Sequence, residues 1–134
     1  MTAPNPHHDG GCMCGAIRYR LHGPFTYSAH CHCRSCQRAV GAGFATYSAV
    51  APDNFEILQG EMAIYHSSPG VRRGFCGTCG TSLSYAGDDW TDYAILSATL
   101  DDPSAARPTT NVYVSEKQPW VVLDERLRAY PKFP

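Results

Sequence analysis

Seven cysteines in 134 residues fall into three tight clusters: Cys12-x-Cys14, Cys31-x-Cys33-x-x-Cys36 and Cys76-x-x-Cys79. An odd number of cysteines without a secretory leader argues against a disulfide framework. Cysteines that act only as small buried hydrophobes have no reason to cluster this way, whereas ligation of a metal by thiolates demands it. The opening segment MTAPNPHHDGG has neither the basic start nor the apolar run of a leader, so a cytoplasmic protein is expected. Residues 1–10 read as a flexible tail and residues 11–134 as one domain, a length that suits a single core.

The spacings divide the cysteines into two sites of different kinds. Cys12, Cys14, Cys76 and Cys79 together supply four thiolates, a closed tetrahedral set of the structural type. Cys31, Cys33 and Cys36 supply three, which leaves one coordination position open, as in a reactive metal site. Soft thiolates select zinc over magnesium or calcium, so two zinc ions per chain are expected, with iron the alternative that the same ligands admit. In an extended C-x-C, residues i and i+2 share a face. Met13 therefore points away from its neighbours' metal, and His30 and His32 point away from that of Cys31 and Cys33. A turn through Arg34 and Ser35 brings Cys36 back to the same ion. An alternative remains open at this level: His30, His32 or His66 closes the three-cysteine set, making both sites structural. Joining Cys14 to Cys76 costs about 4 kcal/mol of loop entropy beyond a constant. Structural zinc, at about 10–16 kcal/mol in small peptides, exceeds that cost.

Short alternating segments punctuated by turn residues point to an all-β domain. Strands are expected over 17–21, 44–48, 54–58, 62–66, 71–75, 81–85, 93–100 and 111–114. Helix is confined to 34–40 and 103–107. With 11 basic against 12 acidic residues the net charge is -1, which offers no electrostatic footprint for nucleic acid. No uncharged stretch is long enough to span a bilayer.

Three strings carry a family likeness: Gly11-Cys12-Met13-Cys14-Gly15-Ala16-Ile17-Arg18-Tyr19, Cys31-His32-Cys33-Arg34-Ser35-Cys36-Gln37-Arg38, and Phe75-Cys76-Gly77-Thr78-Cys79-Gly80-Thr81. With Leu100-Asp101-Asp102-Pro103 and Lys117-Gln118-Pro119-Trp120, the chain resembles the CENP-V/GFA domain family, the glutathione-dependent formaldehyde-activating enzymes. The resemblance implies a β-tent fold of short antiparallel strands built around zinc. It implies a structural zinc on Cys12, Cys14, Cys76 and Cys79 and a catalytic zinc on Cys31, Cys33 and Cys36. The implied activity is formation of S-hydroxymethylglutathione from glutathione and formaldehyde.

Three thiolates make zinc a weak Lewis acid, better suited to holding an incoming thiol as thiolate than to making hydroxide. That chemistry is carbon–sulfur bond formation or cleavage on a thiol–aldehyde adduct, with a small thiol such as glutathione as partner. Arg38, a short turn beyond Cys36, is the expected anchor for an anionic substrate group. Arg34, Arg72 and Arg73 read as solvated surface residues, and Trp120 as a core or pocket-wall aromatic. The competing class is a zinc-stabilised protein-binding module without catalysis.

Overall fold

In the computed structural model, which describes residues 7–134, eleven strands form two sheets. Strands β1 (His7–Gly11), β2 (Arg18–His22) and β5 (Phe55–Gln59) make a three-stranded antiparallel sheet in the order β1-β2-β5. The second sheet has eight strands. Its members are β3 (Tyr27–Cys31), β4 (Ala45–Val50), β6 (Ala63–Ser68), β7 (Val71–Phe75), β8 (Ser82–Gly87), β9 (Trp90–Leu96), β10 (Thr110–Val112) and β11 (Arg128–Ala129). Their order is β11-β10-β3-β4-β9-β8-β7-β6. Most pairings are antiparallel as expected, but β10 runs parallel to both β3 and β11, so the sheet is mixed. Among the described residues the single α-helix is α1 (Arg34–Val40), as expected, and the expected 103–107 helix is a 3-10 turn at Pro103–Ala105.

The expected tail is corrected over its second half: His7 to Gly10 belong to β1, and residues 1–6 lie outside the described residues. Beyond its ladder to β2, this strand is fixed by a side-chain ion pair and a further backbone bond. Asp9 receives Arg20 Nε at 2.7 Å and Nη2 at 3.0 Å, and Asp101 N donates to the Asp9 carbonyl at 2.9 Å. A Cβ on Gly10 would collide with the hydroxyl end of the buried Tyr19 ring and with the Thr99 carbonyl. The Gly10-Gly11 pair is thus a close-packing device rather than a loop signal.

Period-two alternation divides the core between the two faces of the large sheet. Val50 of β4 and Ile95 of β9 join Ile17, Tyr19, Leu21 and Leu83 between the sheets, with Cys12 and Cys76 at the margin of this cluster. Their chain neighbours Ala49 and Ala94 face the other way and pack with Tyr47, Val112, Cys31 and Cys36. One cysteine group therefore roots in each face of the same sheet.

Candidate metal centres

The four-cysteine group brings together two turns that are 62 residues apart. Cys12 and Cys14 sit in the turn after β1, closed by Gly15 N donating to the Cys12 carbonyl at 3.2 Å. Cys76 and Cys79 sit in the β7–β8 turn, closed by Gly80 N on the Cys76 carbonyl at 2.8 Å with Gly80 at φ +82. The four sulfurs lie within 4.8 Å of one another. The Cys12–Cys14 and Cys14–Cys76 separations are 3.6 and 3.8 Å. Tetrahedral bonds of about 2.3 Å require sulfur–sulfur edges of roughly 3.8 Å, so the donor set fits a tetrahedral metal ion. Backbone N–H groups already face the sulfurs: Ile17 N donates to Cys12 at 3.3 Å, and Thr78 N and Cys79 N donate to Cys76 at 3.4 Å each. The Thr81 hydroxyl, 3.1 Å from the Cys79 sulfur, leads the effects that lower that thiol to about 5. Met13 points away, 91% exposed.

The three-cysteine group is assembled locally. Cys31 ends β3, and Cys33 is the N-cap of α1, its sulfur accepting from Cys36 N at 3.3 Å. The first helical turn then carries Cys36 back to the other two, and all three sulfurs lie within 4.8 Å of one another. Among the described residues no histidine joins them. His30 and His32 project to the opposite face as alternation requires, each packed edgewise or tilted on Phe44. His30 Nδ1 lies 2.8 Å from the Thr46 hydroxyl and buried His32 Nε2 lies 2.9 Å from Asn111 Oδ1, while His66 is exposed on β6. Gln37, buried behind the loop, donates to the carbonyls of His32 at 2.6 Å and Glu116 at 3.1 Å.

These three thiols open into a cavity of about 540 Å³. Here the arginine expectations reverse. Arg38 is exposed and does not line the cavity, because two residues beyond Cys36 is about 200° round the helix, on the opposite face. Arg73, expected on the surface, is half-buried, and its Nη2 and Nη1 lie 3.7 and 3.8 Å from the Cys36 sulfur. Arg73 Nη1 also donates to the Tyr47 hydroxyl at 3.2 Å, and the guanidinium lies 5.0 Å over the Tyr85 ring. Sulfur contacts from Cys31 and then Cys33, with added help from Tyr47 and Arg73, hold the Cys36 thiol far below the usual thiol range, against the cost of burial. Contact with Cys33 and then Cys36 pushes Cys31 up. Tyr47 and Arg73 were invisible to local spacing, since sheet register alone brings them to Cys36. Trp120 is also corrected: it covers Gly43 but is 69% exposed and does not line this cavity.

Comparison with known proteins identifies the family. A family model described as glutathione-dependent formaldehyde-activating enzyme matches residues 7–116. A Halomonas elongata protein named provisionally as such an enzyme is 27% identical over 129 residues, covering 88% of this chain and 82% of that protein. An uncharacterized lyase of Schizosaccharomyces pombe is 28% identical over 81 residues, 60% of this chain and 58% of its own length. A crystal structure of a Rhodobacter sphaeroides protein shares the fold at 23% identity and a TM-score of 0.58, covering 69% of this chain and 87% of that one. The chain belongs to the family of glutathione-dependent formaldehyde-activating enzymes.

Proposed function

We propose that this protein is a zinc-dependent carbon–sulfur lyase or synthase acting on a thiol–aldehyde adduct. The observation that carries this reading is the three-thiol group at a cavity, with no fourth protein ligand among the described residues. Cys31, Cys33 and Cys36 would hold the reactive zinc, and Cys12, Cys14, Cys76 and Cys79 the structural one. When bound, zinc of the first kind supplies a site at which an added thiol is deprotonated at neutral pH. Seven free thiols suit a reducing, cytoplasmic setting.

The chain's own groups support addition of a thiolate to a carbonyl carbon. A sulfur lone pair forms the C–S bond, the C=O π pair moves to oxygen, and that oxygen takes, through solvent, the proton the thiol gave up. The Arg73 guanidinium lines the cavity beside Cys36, held there by its hydrogen bond to the Tyr47 hydroxyl, and would bring positive charge to the oxygen that gains negative charge. The reverse order of bond changes cleaves the adduct. S-Hydroxymethylglutathione formation, the reaction in the family's name, is the reference member of this class.

The test is cobalt exchange at the three-cysteine site followed by thiol titration. The visible bands should move toward a four-thiolate tetrahedral pattern, and aldehyde should disappear faster than with thiol alone. Bands that stay fixed with every small thiol would leave a metal-stabilised binding module as the better account.

A further inference from the structure

The wall of the cavity is aromatic to a degree that formaldehyde does not need. One register row crosses the sheet beneath it: Tyr27 pairs with Ala49, Ala49 with Ala94, Ala94 with Tyr85 and Tyr85 with Arg73. Two alanines, 0% and 1% exposed, keep the middle of this row low, while tyrosines stand at both sides. Trp90 packs 6.0 Å from the Tyr27 ring and 5.8 Å from the Tyr85 ring, and Phe133 lies 5.5 Å from Tyr27 and 6.5 Å from Trp90. These rings touch one another and form one aromatic wall of the cavity; the slot lies between that wall and the three thiols, with Ala94 in its lining.

Charge points the same way. The cavity lining contains one cation, Arg73, already engaged with Cys36, Tyr47 and Tyr85, against three carboxylates, Asp88, Asp89 and Glu116, of which Asp88 is paired with Arg72 at 2.7 Å. A ligand with two carboxylates, such as glutathione, finds little to neutralise it there. Rings among rings gain from offset and edge-to-face packing, and a neutral aromatic ligand costs little to desolvate.

We infer that the slot walled by Tyr27, Tyr85, Trp90 and Phe133 over Ala94 selects an aromatic group, so the adduct handled at the three-cysteine site is one carrying an aryl ring rather than the formaldehyde adduct of glutathione. This rests on the thiol–adduct reading above and narrows its substrate class. Formaldehyde offers the aromatic wall no ring face or edge to pack on, whereas an aryl group does.

The test uses calorimetric titration of the zinc-loaded full chain with phenylmethanethiol, glutathione and benzyl alcohol. A Trp120→Phe background leaves Trp90 as the single fluorescent reporter of where each binds. Phenylmethanethiol should bind about ten-fold or more tightly than glutathione and should quench Trp90. Trp90→Leu or, should that variant fold poorly, Phe133→Ala should cut the preference to about three-fold or less. Glutathione binding as tightly as phenylmethanethiol, or a preference untouched by both variants, overturns the inference and leaves the thiol reading standing. Benzyl alcohol quenching Trp90 as well as phenylmethanethiol does, with no thiol gaining over it, upholds the aromatic slot and sinks the thiol reading instead.

Discussion

The Tyr47 hydroxyl donates to the Cys36 sulfur at 3.4 Å, joining the centre of the large sheet to the first turn of the helix. It accepts from Arg73 at the same time, so one oxygen links the guanidinium to the thiolate. Tyr47→Phe removes that link without removing a ligand. The variant should keep its metal and lose about 1 kcal/mol of stability. Its turnover should fall by up to about 10²-fold, because Arg73 loses the hydroxyl that positions its charge. Metal content and aldehyde consumption measured on one preparation check both halves, and unchanged turnover would remove Tyr47 from the chemistry.

The two cysteine groups should respond differently to loss of one sulfur. Cys76→Ser opens a site that ties the β1–β2 turn to the β7–β8 turn against the core. A closed zinc site worth about 10 kcal/mol rivals the whole stability of a domain this size, so the variant should be unfolded or aggregated. Cys36→Ser interrupts a set built within one short segment and should stay folded with one ion fewer. Circular dichroism with metal analysis separates the cases, and equal loss of fold would make both sites structural.

His32 and Asn111 are 1% and 2% exposed, and His32 Nε2 lies 2.9 Å from Asn111 Oδ1, which pins the loop carrying Cys33 to β10, while His32 Nδ1 and Asn111 Nδ2 are buried without a partner. Asn111→Ala leaves the His32 nitrogen without its partner and should cost about 1–3 kcal/mol. Adding His32→Phe should return part of that loss, because both halves of the polar pair are then gone. Urea midpoints of the two singles and the double settle it; strictly additive losses would mean the pair is uncoupled.

Gly10→Ala should destabilise by about 1–3 kcal/mol through overpacking against Tyr19 and Thr99, although the residue lies in a stretch that looks like a tail. Thermal unfolding is the measurement. A neutral outcome would show that β1 yields independently of the rest.

Acid sensitivity follows from Asp101. Its hydrogen bonds to Arg18 hold the carboxyl below its ordinary 3.8, with burial opposing. A lowered folded-state value means the pair's contribution is complete above 3.8 and is lost as pH falls through the lower value. The gap in unfolding midpoint between wild type and Asp101→Asn should be constant near neutrality and close in that acid window. High salt should shrink it throughout, since the pair is partly exposed.

Local spacing was enough to read the cysteine division, the outward turn of His30 and His32, and the helix over 34–40. Each depends on a period of two or 3.6 within a few residues. The span of β3 was missed because Ser28 and His30 interrupt its apolar pattern; they are held by cross-strand partners, Ser48 and Thr46. Arg73 was missed for a longer-range reason. Its role comes from Cys36 and Tyr47, 37 and 26 residues away, and only the order β4-β9-β8-β7 brings these together. Arg38 was favoured by nearness in sequence, which on a helix is a poor guide to nearness in space.

The three-cysteine group occupies six consecutive residues, and Cys76 follows Cys36 by 40 more. At about 5–20 residues per second, a growing chain shows five thiols for several seconds before the last two exist. During that interval Cys12 and Cys14 can share an ion with two of Cys31, Cys33 and Cys36, a four-thiolate set that the finished sheet forbids by holding them on opposite faces. An ion bound that way would have to be handed over when Cys76 and Cys79 arrive, and the order of synthesis and the lability of zinc–thiolate bonds would then shape how the protein matures. Stalled chains ending before Cys76 should retain one ion each, and lose it to a mild chelator more readily than the complete protein does.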